Sequence, residues 1–477
     1  MYKSIVLIVA FFIFPASHMG SITQAQEASN YSSYPQIADA VKQAEEFTDS
    51  VFSARKLPGI SVAVTLGKEI IWQKAIGMAD LENNIPASVN TIYRIQSITK
   101  IFTATRLMQL RDEGILHLDD PVIKYLPYMQ LQGNKNVSFK QILSHVAGLP
   151  NEAPKSNHWS TYKFPDYDEY KQKLMALEAV QPPFVDYKYS NLGFNIIGMA
   201  VAAAGNNPYE NQIDKYILKP LGMKRSGFSV SPEFAADLAV GYELSDEKLK
   251  QVKIYSDMGA VNPSGGLYST VIDMAHFLMF QFSEKNDVLS VTSRREMRTP
   301  HFVYQGWWGG TGLSWHLEKL DGFTVFTHGG GAPGYVAQIS GIDELKLGLV
   351  LCINSITNQH DISKELLAIF VSPVKELSDE LEAESYPLLG PEAVIYEGVY
   401  YMGETPILRV WFEDKRLWAI QEGAPEGNEF LFVPGEKEHH FKMQGGPLDG
   451  EKGIFLLDSS GRVISLEVGS YKLTPEK

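Results

Sequence analysis

Between Gln36 and Lys56 apolar residues return every three or four positions, at Ile37, Val41, Ala44, Phe47, Val51 and Phe52, and this period predicts an amphipathic helix. Pro58-Gly59 ends it. GISVAVTL (59–66) and EIIWQKAIG (69–77) read as strands joined at Gly67-Lys68, a hairpin signal. From Ser97 to Glu113 the helical period resumes, closed by Gly114 in the C-cap position. Residues 115–260 read mostly as helix and loop. Strand-like runs then reappear as FTVFTH (323–328), YVAQISGI (335–342) and LGLVLCIN (347–354), and Asn358 to Val371 reads as a closing helix. Strands at both ends with helices between them predict one sheet assembled from distant parts of the chain, beside a helical insertion, which is an α+β architecture.

A second unit follows. Residues 373–394 are acidic and carry Pro373, Pro387, Gly390 and Pro391, as a linker would. Beyond it YEGVYY, PILRVWF, RLWAIQ, EFLFV, HHFKM, GIFLL and RVISLEV alternate with charged or glycine-containing turns, predicting a small all-β barrel or sandwich over 395–477. At the other end, Lys3, the apolar run Ile5 to Phe14, Pro15 and a small, polar stretch to Ala25 have the layout of a secretory signal peptide. Ten apolar residues are too few to span a bilayer. The expectation is therefore a signal over 1–25, a first domain over 26–372 and a periplasmic or secreted protein without a stable membrane anchor.

Composition narrows the chemistry. With 56 acidic against 42 basic residues and a net charge of −14, the chain has no footprint for phosphate-backbone binding, so nucleic acid is not an expected partner. One cysteine, Cys352, in the apolar run LGLVLCI, can form neither an internal disulfide nor a thiolate zinc site, and reads as a small buried residue. His439-His440 reads as a surface pair, because no further ligands are placed near it. No metal or cofactor is expected.

Three patterns are candidates for chemistry. Ser97-Ile98-Thr99-Lys100 sets a lysine one helical turn from a serine, on the same face, where it can take the hydroxyl proton. S-x-x-K also occurs at Ser53, Ser160, Ser245 and Ser372, but only Ser97 follows a strand-like run, TIYRI, and opens an apolar helix. The plain alternative is a serine N-cap with a solvated lysine. Tyr189-Ser190-Asn191 offers a proton-relaying phenol and an amide-binding side chain, and its alternative is a turn capped by Asn191. Y-x-N recurs at Tyr209. His328-Gly329-Gly330-Gly331 ends a strand, where glycines would let a substrate lie along the backbone; a plain turn is the alternative.

Taken in order, with LSHVAGLP (143–150), SGGLYST (264–270) and GAPGY (331–335), these motifs resemble the serine β-lactamase and penicillin-recognising D,D-peptidase superfamily. The likeness is nearest to its branch of β-lactamase-related serine hydrolases, which includes class C β-lactamases, D-aminopeptidases and family VIII esterases. It covers about residues 35–372, and the tail is similar to the lipocalin-like barrel that some members append. The resemblance implies an antiparallel sheet flanked by helices with an all-helical subdomain, and a small-molecule or peptide substrate. It makes Ser97 the acylated nucleophile, Lys100 its base and Tyr189 the proton shuttle. Asn191, His328 and Gly330 would bind substrate, and the backbone N–H groups of Ser97 and Gly331 would form the oxyanion hole. His328 stands where many members carry lysine, so a weaker hold on a substrate carboxylate is expected, favouring amides and esters over β-lactams. Tyr304, Trp307, Trp308 and Tyr335 are candidates to line an acyl pocket, and His145 reads as a packed turn residue.

Overall fold

The computed structural model describes residues 31–476, apart from 133–135, 246–247, 253–256, 386 and 426–427. The predicted signal over 1–25 lies outside the described residues. Five helices frame the first unit: α1 (Pro35–Ala54), α2 (Thr99–Asp112), α3 (Asn191–Ala204), α4 (Val271–Phe282) and α5 (Gln359–Ser385). Its sheet has nine strands: β1 (Gly59–Leu66), β2 (Glu69–Asp80), β3 (Ile85–Pro86), β4 (Phe302–Val303), β5 (Gly309–Thr311), β6 (His316–Leu320), β7 (Phe323–Ala332), β8 (Tyr335–Ile342) and β9 (Leu347–Ile353). Their order is β4-β5-β6-β7-β8-β9-β1-β2-β3, antiparallel throughout. The predicted hairpin therefore docks on the last strand, with Ile60 opposite Ile353.

β1, β8 and β9 are buried along their whole length, which is why they read as continuous apolar runs. Ile60, Val62, Val64 and Leu66 of β1 meet the layer of α1 and α5. Ala63 turns to the opposite core, where α4 covers β1 and β9 and α2 packs on α3. Cys352 lies in this interior on β9, opposite Ser61 and Ala337, fully buried and unpaired.

Two elements outrun their sequence signals. α5 continues past Val371 and through Pro373 to Ser385. An interior proline costs about 3 kcal/mol, but Val374 and Leu377 beyond the predicted end are both buried, and each such side chain contributes about 1.5–3 kcal/mol. β7 runs on from His328 through the glycines to Ala332, so the glycine-rich stretch is strand and not a turn. Gly329, Gly330 and Gly331 pair with Gln338, Ala337 and Val336 of β8.

The C-terminal unit is a closed barrel of eight strands: β10 (Gly398–Met402), β11 (Thr405–Glu413), β12 (Arg416–Gln421), β13 (Phe430–Pro434), β14 (His440–Gln444), β15 (Lys452–Leu457), β16 (Val463–Val468) and β17 (Tyr471–Pro475). Seven coincide with the strand candidates. The eighth, β17, closes the barrel through Tyr400 opposite Pro475, which rules out the sandwich. Its sequence, YKLTP, buries only Leu473 and so carries almost no hydrophobic signal. Phe430, Phe432, Phe441 and Phe455 fill a core separate from that of the first unit. Among the described residues no helix is long and apolar enough to cross a membrane.

Candidate active site

The turn that carries Ser97 is held from both sides. Tyr93–Arg94 pairs with Tyr268–Ser269, and the Ile95 N–H donates to the Leu267 carbonyl at 3.1 Å. Gln96 is then forced into the left-handed region, φ 50°, while buried. A non-glycine residue there stores on the order of 1–3 kcal/mol, tolerable only where the surroundings impose it. Ser97 follows in a single 3-10 turn that leads into α2. Ile98, not Ser97, occupies the N-cap position, and no side chain caps there. The serine is thus free of a capping role.

Lys100 is not solvated. It is wholly buried, and its Nζ donates to Ser97 Oγ at 3.1 Å and to the Ser264 carbonyl at 2.6 Å. It also lies over the rings of Tyr189 and Phe194, 4.9 and 5.7 Å from their centroids. Burial disfavours the ammonium form and lowers the Lys100 pKa to about 7, against the opposing pull of the Glu152 carboxylate. Tyr189 shares a hydrogen bond with Ser97, and burial pushes its phenol well above the ordinary range. The structure therefore brings Ser97, Lys100 and Tyr189 together. The other S-x-x-K serines, Ser53, Ser160 and Ser372, are exposed, Ser245 ends a short hairpin, and Tyr209 is a core residue bonded to Thr103.

His145 holds Tyr189. It is buried in a left-handed turn at φ 57°, stacks on the Tyr189 ring at 4.5 Å, and accepts from the Ser190 N–H through Nδ1 at 3.2 Å. Ser190, not Asn191, caps α3, accepting from the Gly193 N–H. Asn191 is the first residue of α3, and its Nδ2 donates to Glu152 Oε1 at 2.7 Å. Glu152 also accepts from Trp159 Nε1 at 3.3 Å and lies 3.6 Å from His158. No sequence pattern singled out Glu152 or Ser264; their only signal was membership of, or adjacency to, LSHVAGLP and SGGLYST.

On the sheet side, His328 is buried. Its Nδ1 meets the Gly329 carbonyl at 2.7 Å, and its Nε2 has no hydrogen-bond partner. Burial, with Lys100 and His316 nearby, holds its pKa well below 6.5, so it stays neutral. Gly330 is where β7 touches the turn that carries Ser97, and a Cβ there would stand 2.1 Å from the Ile95 carbonyl. Its constraint is close backbone approach. β6 covers the outer edge of β7 only as far as Thr327, opposite His316. Among the described residues no strand pairs with that edge at Gly329–Ala332.

A cleft of about 770 Å³ opens here, walled by Tyr187, Tyr304, Trp308, His316, Gly329 and Gln338 among others. The rings of Tyr304 and Trp308 meet on this wall, tilted, with their centroids 4.6 Å apart. Trp307 points to solvent, 85% exposed, and Tyr335 turns inward to donate to the Ala239 carbonyl, so neither joins them. In the barrel, His439 Nδ1 meets the Tyr396 hydroxyl at 2.6 Å.

His145 and His328 give the fold a pH dependence. Both pKa values are depressed in the folded state, so below about pH 6.5 the unfolded chain takes up protons that the folded chain does not. Stability should fall with pH by up to about 1.4 kcal/mol per unit for each histidine. We expect a melting temperature that drops between pH 7 and pH 5; a flat profile would contradict neutral, buried imidazoles.

A family model described as Beta-lactamase matches residues 37–370. Similar proteins include Beta-lactamase-like protein 2 of Dictyostelium discoideum, 29% identical over 358 residues that make up 72% of this chain and 64% of that protein. Another is Protein flp of Staphylococcus aureus (strain MW2), 24% identical over 301 residues, 60% of each chain. This chain thus spans less than two thirds of the length of these curated relatives. Among solved structures, the octameric penicillin-binding protein homologue from Pyrococcus abyssi aligns with a TM-score of 0.62 and 25% identity, over 91% of this chain and 99% of that one. A class C β-lactamase from Rhodobacter sphaeroides shares the fold at a TM-score of 0.58 and 20% identity, over 68% and 98%. Since the family match runs from α1 into α5, through every element that shapes the serine turn and the cleft, the chain belongs to the beta-lactamase family.

Proposed function

We propose that the chain is a serine hydrolase that opens an amide or ester bond by acyl transfer to Ser97. The observation that carries this reading is the buried Lys100 amine, 3.1 Å from Ser97 Oγ, with a pKa lowered to about 7. A lysine in water is protonated at neutral pH and cannot act as a base; burial brings the neutral amine of this one within reach near neutral pH. As Ser97 Oγ attacks the carbonyl, Lys100 takes its proton. Tyr189, bonded to Ser97, passes a proton to the leaving group, and water then releases the acyl group. The N–H groups of Ser97 and Gly331 are the oxyanion donors in this scheme, with Asn191 and the β7 edge holding the substrate. Because His328 is uncharged, we place amides and esters ahead of β-lactams as substrates. The apolar run of residues 5–14 supports action after export.

A fluorescent fluorophosphonate tests the reading: wild type should label and Ser97→Ala should not. An unlabelled, folded wild type would instead favour a silent binding protein. The scheme also fixes a sign for Glu152, whose charge favours the protonated lysine. Glu152→Gln should move the acid limb of the kcat/KM profile to lower pH, and a shift upward would contradict the coupling.

A further inference from the structure

Beside Asn191 two buried polar atoms face each other, and neither has a hydrogen-bond partner among the described residues. They are Glu152 Oε2 and His158 Nε2, 3.6 Å apart. That gap has no room for a bridging water, so a small closing movement makes each the partner of the other. His158 is only 2% exposed and packs against the rings of Trp159 and Phe164, whose centroids lie 5.5 and 5.3 Å from its own. Burial, with Lys173 nearby, holds its pKa below 6.5 against the pull of Glu152, so the ring is neutral at pH 7. A carboxylate oxygen only accepts, so the one hydrogen of this neutral ring belongs on Nε2.

The other carboxylate oxygen serves the candidate site. Glu152 Oε1 accepts from Asn191 Nδ2 at 2.7 Å and from Trp159 Nε1 at 3.3 Å. Because an ionised carboxylate cannot donate, Asn191 has to give it the amide nitrogen and keeps its Oδ1 for a ligand. The same charge acts on Lys100 of α2, on Tyr189 before α3 and on Tyr170 of the helix Tyr167–Leu174, the helix that also brings Lys173 toward His158.

Building on the acyl-serine reading, we propose that His158 is a positioning residue: its Nε2–H holds the Glu152 carboxylate, and through Glu152 it sets the orientation of the Asn191 amide and the charge that Lys100 meets. It acts through Glu152 alone and exchanges no proton with the substrate. Without that donor, Glu152 Oε2 stays buried and unpaired, so the carboxylate takes up a proton or swings away, and its hold on the protonated lysine weakens.

The test is the pH profile of kcat/KM for p-nitrophenyl acetate, with a thermal melt of each variant. His158→Phe keeps a ring against Trp159 and Phe164 and removes the donor. It should move the acid limb to lower pH, in the direction of Glu152→Gln, and the double variant should move it no further than Glu152→Gln alone. His158→Gln, whose amide N–H can stand in for the Nε2–H, should restore the wild-type profile. In the wild type, long-range proton–nitrogen correlation NMR of histidine-labelled protein at pH 7 should show His158 with its hydrogen on Nε2. A hydrogen on Nδ1, or an acid limb that a folded His158→Phe leaves in place, would overturn the inference and leave the acyl-serine reading standing. Absence of Ser97 labelling by a fluorophosphonate in the folded protein would overturn both.

Discussion

Replacing Lys100 by methionine is expected to lower kcat/KM for p-nitrophenyl acetate by about 10³-fold, within the range that a positioned general base supplies. Wild-type kcat/KM should rise as pH increases through about 7, where Lys100 loses its proton, and then level off. The variant should lose that inflection along with the rate. Methionine fills nearly the same volume without an amine that must be desolvated, so the fold should survive. A thermal melt alongside the kinetics separates the two effects. Retention of the inflection near pH 7 in the variant would assign the titration to another group.

The second large effect concerns a residue with no side chain. Gly330→Ala would place a methyl group 2.1 Å from the Ile95 carbonyl. Neither side can yield easily. Ile95 is tied to Leu267 and precedes the left-handed Gln96, and Gly330 is fixed in the β7–β8 ladder opposite Ala337. Overpacking of this kind costs about 1–3 kcal/mol, and a displacement of the nucleophile turn by about 1 Å costs about 10²-fold in rate. We expect both in Gly330→Ala. Gly331→Ala is the matched control for stability alone, because the nearest atom its Cβ would meet is Val336 Cγ1 at 4.0 Å. Near-equal losses of stability in the two variants would show that the contact with Ile95 is not what Gly330→Ala disturbs.

These two residues also show what the sequence could and could not reveal. The i, i+3 spacing of Ser97 and Lys100 at the start of an apolar helix was legible, since one helical turn dictates it. The burial that lowers the Lys100 pKa was not. It depends on the Ser264 carbonyl and the Tyr189 and Phe194 rings, which only the folded chain brings to it. Glu152 escaped notice for the same reason. Gly330 was visible as part of a glycine run, but its role as a contact point for Ile95 needs the approach of two distant segments. In the fold, long buried strands such as β8 and β9 announced themselves, whereas β4, β5 and β17 are too short or too polar to do so. Pro373 pointed to a break that the buried stripe of α5 overrides.

The central claim is a covalent acyl group on Ser97. Intact-protein mass spectrometry after brief exposure to p-nitrophenyl acetate, quenched in acid and followed by peptide mapping, reads it directly. One acetyl group on the peptide that carries Ser97, absent from Ser97→Ala, is the predicted result. Turnover with no adduct, or an adduct on a peptide without Ser97, would contradict it.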